Sequence, residues 1–136
     1  MKKIIISMFL VLIAVSGYAW EQRQPLPVQQ CQIHSPYGFA NTQRQVQPIC
    51  REGYLVAYDA PVKIPLYVAY TLKPENALGC FPRTNAFVAD QSVPNGATPS
   101  DYANTGYDKG HAAPDGDLSW SQQVEYRSEE HTSESS

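Results

Sequence analysis

Gly53-Tyr54-Leu55-Val56-Ala57-Tyr58-Asp59, then Lys63-Ile64-Pro65-Leu66-Tyr67-Val68-Ala69-Tyr70-Thr71-Leu72, is the stretch that decides the fold. Aromatic and aliphatic residues dominate the first run, as half-buried strands favour. Asp59-Ala60-Pro61 between the runs has turn chemistry. In the second run Ile64, Leu66, Val68 and Tyr70 recur at every second position and so share one face. Pro65 fits a strand entry or an edge position, where no ladder hydrogen bond is lost. Two such runs around a short turn predict an antiparallel hairpin or two adjacent strands.

Downstream, Lys73-Pro74-Glu75-Asn76 closes that unit, and Phe81 to Asp90 has Phe87-Val88-Ala89 as its apolar centre. Ser92 to Thr105, with Pro94, Asn95, Gly96 and Pro99, predicts a surface loop. Tyr107 to Ala112 predicts a short strand, and Asp115-Gly116-Asp117 a turn. Ser119-Trp120-Ser121-Gln122 has the Ser-x-x-Gln spacing of a capping box, which predicts a helix start. Upstream, Trp20 to Pro48 is rich in Gln and Pro and predicts a loop-rich lead-in. Strands, a long loop and then a helix make an α+β domain with an antiparallel core.

The totals fit that class. A hydrophobic share of 43% supports a core and excludes a wholly disordered chain. A charged share of 17% is too low for a long coiled coil. The net charge of −3 shows no basic surplus of the kind that binds polyanions in bulk.

The two ends read differently from the middle. Met1-Lys2-Lys3, the apolar run Ile4 to Val15 and the small-residue exit Ser16-Gly17-Tyr18-Ala19 predict a signal peptide over residues 1–19. The apolar run is shorter than the roughly 20 residues a membrane span needs. Export to a bacterial periplasm or the medium then permits disulfides among Cys31, Cys50 and Cys80. Cys31 with Cys50 makes a local bridge in one pairing; spacing leaves the pairing open, and an odd count leaves one thiol over. No Cys-x-x-Cys occurs, so a structural zinc site has no support. Residues 127–136 carry no apolar residue and predict a disordered tail. Within them Arg127-Ser128-Glu129-Glu130-His131-Thr132-Ser133-Glu134 resembles the translation of a common sequencing-library adapter, which makes the segment an artefact.

The chemistry concentrates in Gly106-Tyr107-Asp108-Lys109-Gly110-His111-Ala112-Ala113-Pro114. A held imidazole such as His111 can take a proton from water near neutral pH. Lys109, two residues earlier, projects to the same strand face and can meet a phosphate. Gly110 admits close approach of a ligand. Asp108 can accept hydrogen bonds that fix the loop or orient neighbouring donors. Such a cluster, taken alone, is more often a solvated turn.

The order of the residues adds a resemblance. Asp108-Lys109-Gly110-His111 followed by Ala-Ala-Pro resembles the Asp-Arg-Gly-His signature of the DNA/RNA non-specific endonuclease family. Upstream, Tyr54 to Asp59, Pro65 to Tyr70, Phe87 to Asp90, Val93-Pro94 and Asp101-Tyr102 follow that family's running order. Downstream, Asp117-Leu118-Ser119-Trp120 resembles the segment leading to its next helix. The resemblance covers residues 50–126.

It implies a ββα-metal, or His-Me, finger that hydrolyses phosphodiester bonds of DNA and RNA. By that likeness His111 is the general base, and a divalent cation, typically Mg²⁺, stabilises charge on the phosphate and the leaving oxygen. Arg83 is the candidate phosphate-contacting arginine. Lys109 stands where the family has Arg, which keeps the charge and loses bidentate contact. The family's metal ligand is an Asn on the helix after the His strand. The resemblance places it beyond this chain, so no metal ligand is expected here, and Asn104 and Glu125 match no motif. Truncation within or before that helix makes an inactive fragment of an exported nuclease. Relatives form homodimers, although no interface is legible in these residues. The competing class is a non-enzymatic, disulfide-stabilised exported binding module, resting on nine Tyr. Those tyrosines fall mostly at strand positions, where packing explains them. Other hydrolases lack a motif, with no Gly-x-Ser-x-Gly and no His-Glu-x-x-His.

Overall fold

A three-stranded antiparallel sheet organises the chain, in the order β1 (Gln47–Cys50), β2 (Leu55–Asp59), β3 (Ile64–Ala69). The computed structural model describes residues 26–85, 87–129 and 132–135. The signal-peptide reading of residues 1–19 lies outside them. The expected hairpin is β2 and β3, paired from Leu55↔Ala69 to Asp59↔Ile64. The expected shared face of Ile64, Leu66, Val68 and Tyr70 does not survive intact. The register shifts between Ala57 and Tyr58, which leaves Leu66 as an extra residue that faces solvent, while Val68 and Tyr70 pack on the core.

The lead-in is more structured than its Gln and Pro content suggests. Val28–Ile33 is a 3-10 helix, and Gln47–Cys50 becomes β1 by pairing with β2 from Gln47↔Tyr58 to Cys50↔Leu55. Cys31 and Cys50 are disulfide-bonded, and Cys80 is free and exposed. The bridge ties the 3-10 helix to β1 across a sequence separation of 19, a closure worth about 3 kcal/mol in the chain-entropy view.

All five residues of β2 are buried, so both faces of the sheet are covered there. On one face Val56 and Tyr58 join Ile49, Tyr54, Val93, Ala113, Leu118 and Val124. On the other, Leu55 packs with Cys31 and Cys50. Full burial of side chains such as Val56 and Leu55 contributes about 1.5–3 kcal/mol each.

The site-bearing half follows β3. Asn76–Leu78 and Pro99–Tyr102 are 3-10 turns, the second closed by a Thr98–Asp101 capping box. β4 (Asp108–His111) falls inside the expected strand. Two helices come next, α1 (Asp115–Leu118) and α2 (Gln122–Ser128). Asp115-Gly116-Asp117 is therefore a helical turn rather than a simple reversal. The Ser119 capping box is corrected as well: Ser121 is the N-cap of α2, while Ser119 ends α1, its hydroxyl donating to the Gly116 carbonyl.

Residues 127–129 are not a solvated tail. α2 runs through Ser128, and Arg127, Ser128 and Glu129 are buried, because the helix's inward face continues in register from Val124 and Glu125. The backbone of β5 (Thr132–Ser135) pairs antiparallel with β4, Lys109↔Glu134 and His111↔Thr132. The His111 strand leads into helices, within a mixed α+β fold. Among the described residues, no helix is long and apolar enough to cross a membrane.

Candidate active site

β4 alternates its side chains, so Lys109 and His111 lie on one face and exposed Asp108 on the other. Facing the first pair is the irregular segment that carries Arg83 and Phe87. A close approach pins that segment to the helices: the Phe81 N–H donates to the Ser119 carbonyl at 3.1 Å. Only glycine fits at position 79, where a Cβ would meet the Trp120 backbone nitrogen at 2.6 Å.

The Phe87 ring is the meeting point. His111 lies against it edge-on, with ring centroids 5.2 Å apart and planes 68° from parallel. The Arg83 guanidinium sits 5.8 Å from the same ring centre, and the Lys109 ammonium 5.9 Å. Three of the four expected site residues thus converge, although Arg83 and His111 stand far apart in the chain. Asp108 is not brought to the ring.

The other side of His111 is acidic. Its Nε2 lies 3.8 Å from Asp115 Oδ1 and 3.6 Å from Glu129 Oε1. Asp115 follows His111 by four residues, at the start of α1; Glu125 and Glu129 stand four apart on one face of the α2 end. Backbone donors hold these carboxylates in place. Thr84 N–H donates to Glu125 at 3.0 Å, and Asn85 N–H to Glu129 at 2.7 Å. The Thr84 hydroxyl donates to Glu129 at 2.6 Å. Asn85 turns the chain into the left-handed region, φ 52°, which Asn tolerates better than most residues.

Only 7% of the His111 side chain is exposed. Burial, with the Arg83 charge adding to it, lowers its pKa below the ordinary 6.5, and Asp115 and Glu129 offset part of that. That shift favours the neutral form of the imidazole. Burial pushes Glu125 the other way, above the ordinary carboxylate value, with Glu129 and Asp115 adding to the shift and the Thr84 bond opposing it.

One nitrogen of His111 and one oxygen each of Asp115 and Glu125 lie within 4.8 Å of one another. Asp115 Oδ1 and Glu125 Oε2 are buried atoms without a hydrogen-bond donor among the described residues. Two carboxylate oxygens and an imidazole nitrogen suit a divalent cation. The expectation of no metal ligand within the chain leaves Glu125 aside, since no motif marks it; the structure brings it beside His111 and Asp115, because α2 starts from Ser121 rather than Ser119.

Comparison with known proteins adds an independent line. A family model described as DNA/RNA non-specific endonuclease matches residues 34–129. Human mitochondrial endonuclease G is 37% identical over 77 residues, covering 54% of this chain and 26% of that protein. The mitochondrial nuclease 1 of Schizosaccharomyces pombe is 35% identical over 76 residues, covering 53% of this chain and 24% of that protein. The chain thus spans about a quarter of the length of these relatives.

Proposed function

Because the chain belongs to the DNA/RNA non-specific endonuclease family, we propose that its full-length form is an exported hydrolase of phosphodiester bonds in DNA and RNA. His111 is the general base, and Lys109 and Arg83 meet the phosphate. The observation that carries this reading is the convergence of a buried imidazole and two cations on one aromatic ring. Contacts of that kind address the backbone charge of a nucleic acid and need no base-reading element.

His111 takes the proton of the attacking water, which a lowered pKa permits at neutral pH. Lys109 and Arg83 neutralise the phosphate as negative charge builds on it, a role their shared place at the Phe87 ring supports. Asp108 is exposed on the far face of β4, away from the Phe87 ring. A His111 nitrogen cannot bind a cation and accept a proton at once, so we assign the cation to Asp115 and Glu125. Their two orphaned buried oxygens fit that role. A bound Mg²⁺ or similar ion would supply Lewis-acid stabilisation of the phosphate and leaving-group oxygens.

The Cys31–Cys50 bridge supports an oxidising compartment. Magnesium-dependent cleavage of plasmid DNA and RNA by the full-length protein, wild type against His111→Ala, tests the reading.

A further inference from the structure

Phe87 belongs to neither hydrophobic cluster, although its segment reads as an apolar filler in the sequence. It is half-buried, and its ring meets three chemistry-bearing side chains, His111, Arg83 and Lys109. An aromatic ring has an electron-rich face and a positive edge. Cations therefore settle over its face, and another ring prefers an edge-to-face contact. Arg83 and Lys109 carry like charges and are both exposed. The ring gives both a shared anchor beside the imidazole.

We propose that Phe87 is a positioning residue of the nuclease site, whose ring fixes the imidazole plane of His111 and gathers Arg83 and Lys109 beside it. The proposal rests on the nuclease reading above. The ring touches no substrate; it acts through the three residues around it. Phe87 sits three residues before buried Asp90, so its backbone is anchored to the sheet while its side chain reaches the site. An aliphatic side chain of similar size would fill the space and supply neither the edge contact nor the π-face.

The test uses the full-length protein for kinetics and the 136-residue chain for spectroscopy. Misplacing a reacting group by about 1 Å costs on the order of 100-fold in rate, so Phe87→Leu should lower kcat by roughly 10- to 100-fold. KM should change by less than about threefold, because both cations stay attached to flexible stems that still reach a phosphate. Phe87→Trp keeps an electron-rich face and should restore kcat to within about threefold of wild type. By NMR at fixed pH, the ring-current displacement of the His111 carbon-bound protons should disappear in Phe87→Leu and persist in Phe87→Trp. If Phe87→Leu fails to fold, pentafluorophenylalanine at position 87 keeps the shape and reverses the quadrupole, and should lower kcat in the same way.

Undiminished kcat in Phe87→Leu beside an active wild type would overturn the Phe87 proposal and leave the nuclease reading standing. Equal losses in the Leu and Trp variants would also overturn it, since packing alone would then account for both. No cleavage by the wild-type full-length protein would instead sink the nuclease reading, while the His111 resonances still decide the contact.

Discussion

Arg51, just after β1, and Asp90, three residues past Phe87, form an ion pair with 4% and 2% of their side chains exposed. Ser92 completes the unit, its hydroxyl accepting from Arg51 at 2.8 Å and donating to Asp90 at 2.6 Å. The pair bolts the irregular segment carrying Arg83 and Phe87 to the sheet. Arg51→Met leaves a buried carboxylate and should cost about 3–5 kcal/mol. Urea unfolding should show that loss, and adding Asp90→Leu should recover most of it. A loss below about 1 kcal/mol, the range of exposed pairs, would contradict the anchoring role.

The Tyr58 hydroxyl gives a pH prediction. It accepts a hydrogen bond from the Ala97 N–H at 2.8 Å, and burial raises its pKa above 10. The neutral phenol is thus favoured by folding. Its stabilisation is complete below pH 10 and is lost as pH rises through the higher folded value. Thermal melts should show an alkaline decline that flattens in Tyr58→Phe. That variant should lose about 1 kcal/mol at neutral pH from the missing acceptor. An unchanged alkaline decline would move its origin elsewhere.

Asp115 and Glu125 predict cation binding that can be read without activity. A ligand at 100 times its Kd stabilises the folded state by about 2.7 kcal/mol. Mn²⁺ should therefore raise the melting temperature of the chain, and Asp115→Asn with Glu125→Gln should abolish the rise. If the two carboxyls share a proton instead, neither protein responds to Mn²⁺, and the cation assignment fails.

Much of the fold was legible because period-two alternation is local. It marked β3, while an unbroken aromatic and aliphatic run marked β2, and alternation put Lys109 and His111 on one face of β4. β1 was not legible, since Gln47-Pro48 has no strand pattern and becomes a strand through pairing with β2. The Leu66 bulge and the two-residue offset of α2 are likewise settled by packing rather than by local preference. In the site, Arg83 was legible only through resemblance. Its meeting with Lys109 on Phe87 is a tertiary fact, and so is the turn of Glu125 toward Thr84.

Cleavage of supercoiled plasmid and of RNA by the full-length protein with Mg²⁺, wild type against a folded His111→Ala, tests the central claim most directly. A positioned general base contributes about 10²- to 10⁴-fold, so the variant should lose at least that much rate on both substrates. Wild-type rates in His111→Ala would contradict the account.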